Sequence, residues 1–145
     1  MDVSWPAMKG QRPILLVEDD EVDVLTVKRA LRDLKVENEL ILAGNGEEAI
    51  AHLRDPAKPR PALILLDLNM PRMNGFEFLR AARESDLIES IPVVVLTTSR
   101  QDQDIFEGFK LNVAGYMVKP VDYRKFVEMM QAIDLYWTLS ELPKG

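Results

Sequence analysis

Acidic, hydroxyl and ammonium side chains close four apolar runs in this chain. Ile14-Leu15-Leu16-Val17 runs into Glu18-Asp19-Asp20, Ala62 to Leu66 into Asp67, Val93 to Leu96 into Thr97, and Tyr116-Met117-Val118 into Lys119-Pro120. These residue types suit the handling of a phosphoryl group. A carboxylate can act as nucleophile, neighbouring carboxylates can hold a divalent cation, and a hydroxyl and an ammonium can bind the transferring oxygens.

For those residues to meet, the runs must be strands of one sheet. Buried parallel strands read as continuous β-branched and leucine runs, and ligands of open α/β sheets bind beyond the strands' carboxyl ends. Between the runs, Val22, Leu25, Thr26, Arg29, Ala30 and Leu34 are spaced as the apolar face of a helix, opened by Asp20, Glu21 and Asp23. Glu39 to Ala43 is a second strand, Gly44-Asn45-Gly46 a turn, and Glu47 to Leu53 a short helix that stops before Asp55-Pro56. The proline-rich stretch from Asp55 to Pro61 is an exposed connection. Met70-Pro71-Arg72-Met73-Asn74-Gly75 is a turn feeding a helix from Phe76 to Arg83, and Ser85 to Ile91 is a polar loop. Asp102 to Leu111 and Asp122 to about Leu139 are the remaining helices. Strand and helix alternate five times, which predicts an α/β, doubly wound, five-stranded parallel sheet with five helices. The expected domain is 13–139, with a flexible extension over 1–12 and a tail over 140–145.

Composition narrows the function. A chain of 145 residues, 47% hydrophobic, fits one domain with a real core. Its 18 Lys and Arg against 24 Asp and Glu give a net charge of −6, without the positive field that nucleic-acid binding draws on. Cysteine is absent, so there is no disulfide framework or thiolate metal site. No apolar stretch approaches the roughly 20 residues of a membrane span, and the first twelve residues lack a signal-peptide core. The expectation is a soluble, cytoplasmic protein that binds neither nucleic acid nor membrane.

Each site residue also has a plainer reading. Asp67 could be a turn or capping aspartate, and Glu18-Asp19-Asp20 the acidic start of a helix. Their proximity argues otherwise: if the first and third strands are neighbours, the acids cluster and repel unless a cation neutralises them. Oxygen ligands of this kind suit Mg²⁺. Thr97 could be an ordinary β-branched strand end and Lys119 a solvated charge. Near Asp67, Lys119 would instead stabilise a transferring phosphoryl group, and the proline after it suits a turn with a cis bond. His52, the only histidine, reads as a surface residue, and Met70 and Met73 as packing around the acceptor loop. The Gly44-Asn45-Gly46 turn lacks the ending of a phosphate loop.

Leu15 to Asp20, Asp67-Leu68-Asn69-Met70-Pro71-Arg72-Met73-Asn74-Gly75, Leu96-Thr97 and Val118-Lys119-Pro120 together resemble the receiver domain of two-component response regulators. The likeness covers about residues 13 to 138 and implies the flavodoxin-like, CheY-like strand order 2-1-3-4-5. It further implies that Asp67 takes a phosphoryl group from a kinase phosphohistidine. Asp19, Asp67 and the Asn69 carbonyl would bind Mg²⁺ with help from Glu18. Thr97 and Lys119 would hold phosphoryl oxygens, and Tyr116 would be the aromatic switch residue, or simply a half-packed strand tyrosine at rest. Asn69 and Ser99, two positions after the acceptor and the threonine, would tune dephosphorylation. Since only a helix and short tail follow Lys119-Pro120, the resemblance implies a single-domain receiver, not an enzyme, acting by protein contact. The proline-rich connection and the Ile133 to Trp137 ending look like the subgroup partnering bacteriophytochromes and other sensor histidine kinases; a phosphotransfer protein is the other partner class.

The last helix carries a hint of its own. Tyr123, Phe126, Val127, Met130, Ile133 and Trp137 form one stripe for the sheet, leaving Met129, Leu135, Tyr136 and Leu139 outside it. Those four could pack on the segment around Trp5, dock a kinase, or, as preferred here, join a homodimer. Against a phosphatase working through an aspartyl phosphate stands Asn69, which cannot donate a proton as a carboxylic acid can.

Overall fold

The computed structural model of the protein describes residues 12–70, 72–97 and 113–140; for residues 97 and 134–140 it describes the backbone alone. Five strands, β1 (Ile14–Val17), β2 (Leu40–Ala43), β3 (Leu63–Asp67), β4 (Val93–Thr97) and β5 (Gly115–Val118), form one parallel sheet in the order β2-β1-β3-β4-β5. Four helices lie among the described residues: α1 (Glu21–Asp33), α2 (Gly46–Arg54), α3 (Gly75–Glu84) and α4 (Tyr123–Ser140). The helix expected over Asp102 to Leu111 falls outside the described residues, as do the N-terminal extension before Arg12 and the tail after Ser140.

The apolar runs form strands because both sheet faces are covered. Ile14, Leu16, Leu63, Leu65, Val94 and Leu96 meet α1 and α4 through Val27, Ala30, Leu31, Phe126, Met130 and Ile133. On the other face, Leu15, Val17, Ile64, Leu66, Val93 and Val95 meet α2 and α3 through Ala49, Ile50, Phe78, Leu79 and Ala82. The central strands β1, β3 and β4 are buried on both faces and need no polar alternation, while the edge strands expose Leu42 and Val118. The loop from Ser85 to Ile91 is less polar in place than expected, since Ile88 and Ile91 join the second core. None of the helices among the described residues is long and apolar enough to cross a membrane.

Two sequence expectations about helix faces are corrected. In α1 the buried residues are Asp23, Val27, Ala30 and Leu31, while Val22 and Leu25 are 66% and 63% exposed. Apolar spacing alone could not choose the face, because a buried aspartate defines the true one. In α4 the expected stripe holds at Phe126, Met130 and Ile133, but Met129 also packs partly against the core instead of standing clear of it.

Local chemistry sets the helix entries. Asp20 caps α1, its Oδ1 accepting from the backbone N–H groups of Val22 at 2.8 Å and Asp23 at 3.2 Å. Asn74 caps α3 in a reciprocal capping box with Glu77. The turn before it is tight, with Arg72 at φ 60° and Met73 at φ 105°. Gly75 then passes so close to β3 that a Cβ would lie 2.6 Å from the Asp67 carbonyl oxygen and 2.8 Å from Leu68 Cα. Both are backbone atoms of a buried strand end and cannot swing aside. Gly75→Ala should therefore cost about 1–3 kcal/mol, the usual range for overpacking. Urea denaturation measures it, and an unchanged midpoint would show that the strand end yields.

Candidate functional site

Strand register brings the site together. Val17 pairs with Leu66, so the next residues, Glu18 and Asp67, leave adjacent strands side by side. Asp67 pairs with Leu96 and Thr97 with Val118, which sets the ends of β4 and β5 on the same rim. Glu18 and Asp67 are buried and Asp19 is exposed. One carboxylate oxygen from each of these three lies within 4.8 Å of the others.

Lys119 enters this cluster from beyond β5 across a cis bond to Pro120. Its Nζ lies 3.0 Å from Glu18 Oε1, 3.2 Å from Asp23 Oδ2 and 3.5 Å from Asp67 Oδ2. Burial disfavours the ammonium, but the hydrogen bond to Glu18 and the charges of Asp67 and Glu18 outweigh it and raise the lysine pKa. Lys119 is thus a fixed cation. Asp67 Oδ1 accepts from the Asn69 backbone N–H at 3.1 Å. Burial raises the Asp67 pKa, with that bond and Lys119 opposing. Burial also pushes Glu18 up to about 7 against the hydrogen bond from the Asp20 N–H, with the neighbouring Asp67 charge adding to the rise.

The charges do not balance. Glu18, Asp19, Asp23 and Asp67 face one ammonium, a formal deficit of three positive charges when all four are ionised. Glu18 Oε2 is buried without a hydrogen-bond partner, and Asp67 Oδ2 has only the long ion pair to Lys119. An oxygen-rich, underneutralised cluster that is open at Asp19 fits a hard divalent cation keeping several waters.

Not every expected residue earns its place from what the structure describes. Thr97 closes β4 as expected, with its side chain outside the described residues, and Ser99 lies outside them altogether. Tyr116 is half-buried and packs against the α2–α3 side of the core. Asn69 is exposed beside Asp67. Of the expected partner surface, Leu135, Tyr136 and Leu139 have no described side chains, and Met129 packs partly inward. Met70 and Met73 pack against the core, as their reading predicts. Asp20 caps α1 and is not among the three clustered carboxylates.

One functional residue went unread. Asp23, 2% exposed, pairs with Lys119 through Oδ2 and accepts from the Val121 N–H at 2.9 Å through Oδ1. It therefore fixes both the ammonium and the backbone just past the cis proline. The only signal in the sequence was an acid three residues into a helix, where dipole preference already accounts for it.

The response regulator receiver domain is the family whose pattern matches residues 14–131 of this chain. Response regulator Rcp1 of Synechocystis is 38% identical over 128 residues, spanning 86% of this chain and 87% of its own length. Among solved structures, bacteriophytochrome response regulator RtBRR is 41% identical, with a TM-score of 0.75 over 86% of this chain and 77% of its own. The Mn²⁺-bound form of Rcp1 is 36% identical, with a TM-score of 0.71 over 92% of this chain and 97% of its own. The strand order and the acid-lysine rim agree with that match, and the chain belongs to the response regulator receiver domain family, the phosphorylation-controlled signalling modules of two-component systems.

Proposed function

We propose that Asp67 is the phosphoacceptor and that Mg²⁺ occupies the cluster of Glu18, Asp19 and Asp67, with the Asn69 carbonyl as a further ligand. The observation carrying this reading is the buried Asp67 carboxylate at the strand end, beside a fixed ammonium in an underneutralised acidic cluster. Mg²⁺ in this cluster would offset the negative charge that the acceptor and the incoming group share. The Asn69 N–H holds one acceptor oxygen and so orients the carboxylate. Asp67 attacks phosphorus, the P–O bond forms as the donor's P–N bond breaks, and the electron pair leaves with the donor imidazole. Lys119, already 3.5 Å from Asp67, exchanges carboxylate contacts for a phosphoryl oxygen, while Asp23 keeps its ammonium at the rim. Thr97 binds a second oxygen and Tyr116 relays the change. The donor is a sensor histidine kinase, and likeness to the bacteriophytochrome response regulator RtBRR supports one of the phytochrome class. The protein assists its own phosphorylation only by positioning and charge.

Labelling with acetyl phosphate should require Mg²⁺, stop in chelator and be lost in Asp67→Asn. The label should persist for minutes or longer, because neither Asn69 nor Ser99 is a strong general base. Full labelling of Asp67→Asn would move the acceptor elsewhere.

Glu18 yields a pH dependence. Its folded pKa of about 7 lies above the ordinary 4.5, so between those values the folded state holds more protons than the unfolded one. Metal-free stability should fall as pH rises through that window and level off above it. Mg²⁺ must displace the proton, so its affinity should strengthen by up to about tenfold per pH unit below 7. Thermal melts and Mg²⁺ titrations across the window decide this; a pH-independent Mg²⁺ affinity would remove Glu18 from the cation's surroundings.

We also propose self-association through α4, supported by the apolar residues Leu135, Tyr136 and Leu139 beyond its core stripe. Replacing Leu135 and Tyr136 with glutamate should halve the mass seen by light scattering while leaving Asp67 labelling intact. Equal mass for parent and variant refutes that surface.

A further inference from the structure

We propose that a cavity beneath the connection from α2 to β3 binds a small oxyanion, held by His52, Lys58 and Arg60. The cavity lies at the amino end of β3, at the opposite end of the strand from Asp67, is partly open to solvent and has a volume of about 160 Å³. His52 contributes to its lining. Contrary to the sequence reading, this side chain is buried, only 8% exposed, and its Nε2 has no hydrogen-bond partner. A buried ring nitrogen left unpaired is destabilising, and a ligand in the cavity would remove that cost.

The charges around it select the ligand. Lys58 and Arg60 line the cavity, and neither forms an ion pair with a carboxylate among the described residues. Arg60 Nη1 makes one long bond to the Leu87 carbonyl, at 3.4 Å, leaving its other N–H groups available. Burial lowers the Arg12 pKa and the Arg60 charge lowers it further, so a third guanidinium adds to the positive field nearby. Asp55 is the one acid in the lining, and its Oδ1 already accepts from the Ala57 N–H at 2.9 Å. Glu39 also acts on His52 from outside the lining, so the two acids Asp55 and Glu39 offset part of this charge, and what distinguishes the cavity is two cations without carboxylate partners beside a buried, unpaired imidazole.

Size then sets an upper limit. Drug-sized ligands need about 300–1,000 Å³, so a nucleotide does not fit. At about 30 Å³ per water, the space holds a few waters or one group the size of phosphate or a short carboxylate. Burial and the nearby Lys58 charge lower the His52 pKa against the opposing charges of Asp55 and Glu39, which favours the neutral ring without ligand. The neutral ring can carry its proton on Nε2 and donate it to the anion, and the anion's charge would raise its pKa.

The test uses the fact that His52 is the only histidine, so its ring signals in an NMR spectrum need no assignment. Inorganic phosphate and acetate are titrated separately at constant ionic strength and neutral pH, in chelator so that the acidic rim stays metal-free. Saturable shifts of the His52 ring signals are expected, at least tenfold weaker in Lys58→Gln/Arg60→Gln, whose acetyl-phosphate labelling in Mg²⁺ stays normal. A response to phosphate alone narrows the ligand to phosphoryl groups, and a response to both supports oxyanions in general. Shifts that never saturate, that are absent, or that survive the double substitution would overturn the proposal without touching the reading of Asp67.

Discussion

The interaction on which this structure turns is one ammonium among three buried carboxylates. Lys119 joins Glu18 just past β1, Asp23 of α1 and Asp67 of β3 at contacts of 3.0 to 3.5 Å. At an effective dielectric constant of about 20, each such contact is on the order of 5 kcal/mol before desolvation is subtracted, and burial subtracts much of it. What is left is a large asymmetry. Removing the lysine would strand Glu18, Asp23 and Asp67 as buried unpaired charges, whereas one lysine cannot neutralise them all. The site is held short of positive charge, which is the condition under which a divalent cation and a mobile phosphoryl group can both be accommodated.

Sheet topology makes this possible at one edge only. Parallel strands all end on the same rim, and the order β2-β1-β3-β4-β5 puts β1, followed by Glu18, next to β3, which ends in Asp67. The chain leaves β1 and β3 in opposite directions, toward α1 on one face and α3 on the other, so a crevice opens between their ends. At the amino edge the strand starts are closed by backbone bonds such as Ala62 N–H to the Pro13 carbonyl, at 2.7 Å. The same sheet can therefore carry an acidic rim at one end and the cationic cavity of His52 at the other.

Much of this was legible in the residues. Four continuous apolar runs ending in reactive side chains marked β1, β3, β4 and β5, with β2 read from the run before the Gly44-Asn45-Gly46 turn, and the shared direction of the four placed Glu18, Asp67 and Lys119 on one rim. Other features needed three dimensions. His52 lies on a short helix whose spacing does not show its burial, and in the structure it lines one cavity with residues of the proline-rich connection. Met129 falls outside an ideal helical stripe by angle, yet packs partly inward because the neighbouring core reaches it. Asp23 was hidden most completely, since a helix's first turn favours acids whether or not they have a partner.

Asp23 also explains why α1 presents the face it does. Once its carboxylate must reach Lys119 and the Val121 N–H, the rotation of the helix is fixed, because positions 23, 27, 30 and 31 share one side. Val27, Ala30 and Leu31 follow Asp23 into the core, and Val22 and Leu25 are carried to the solvent side. Turning those two apolar residues inward would draw the aspartate out and leave the ammonium one partner short. Two exposed apolar side chains beside the acidic rim are thus a consequence of charge balance within it, and a helix that looks misoriented by hydrophobicity is correctly oriented by electrostatics.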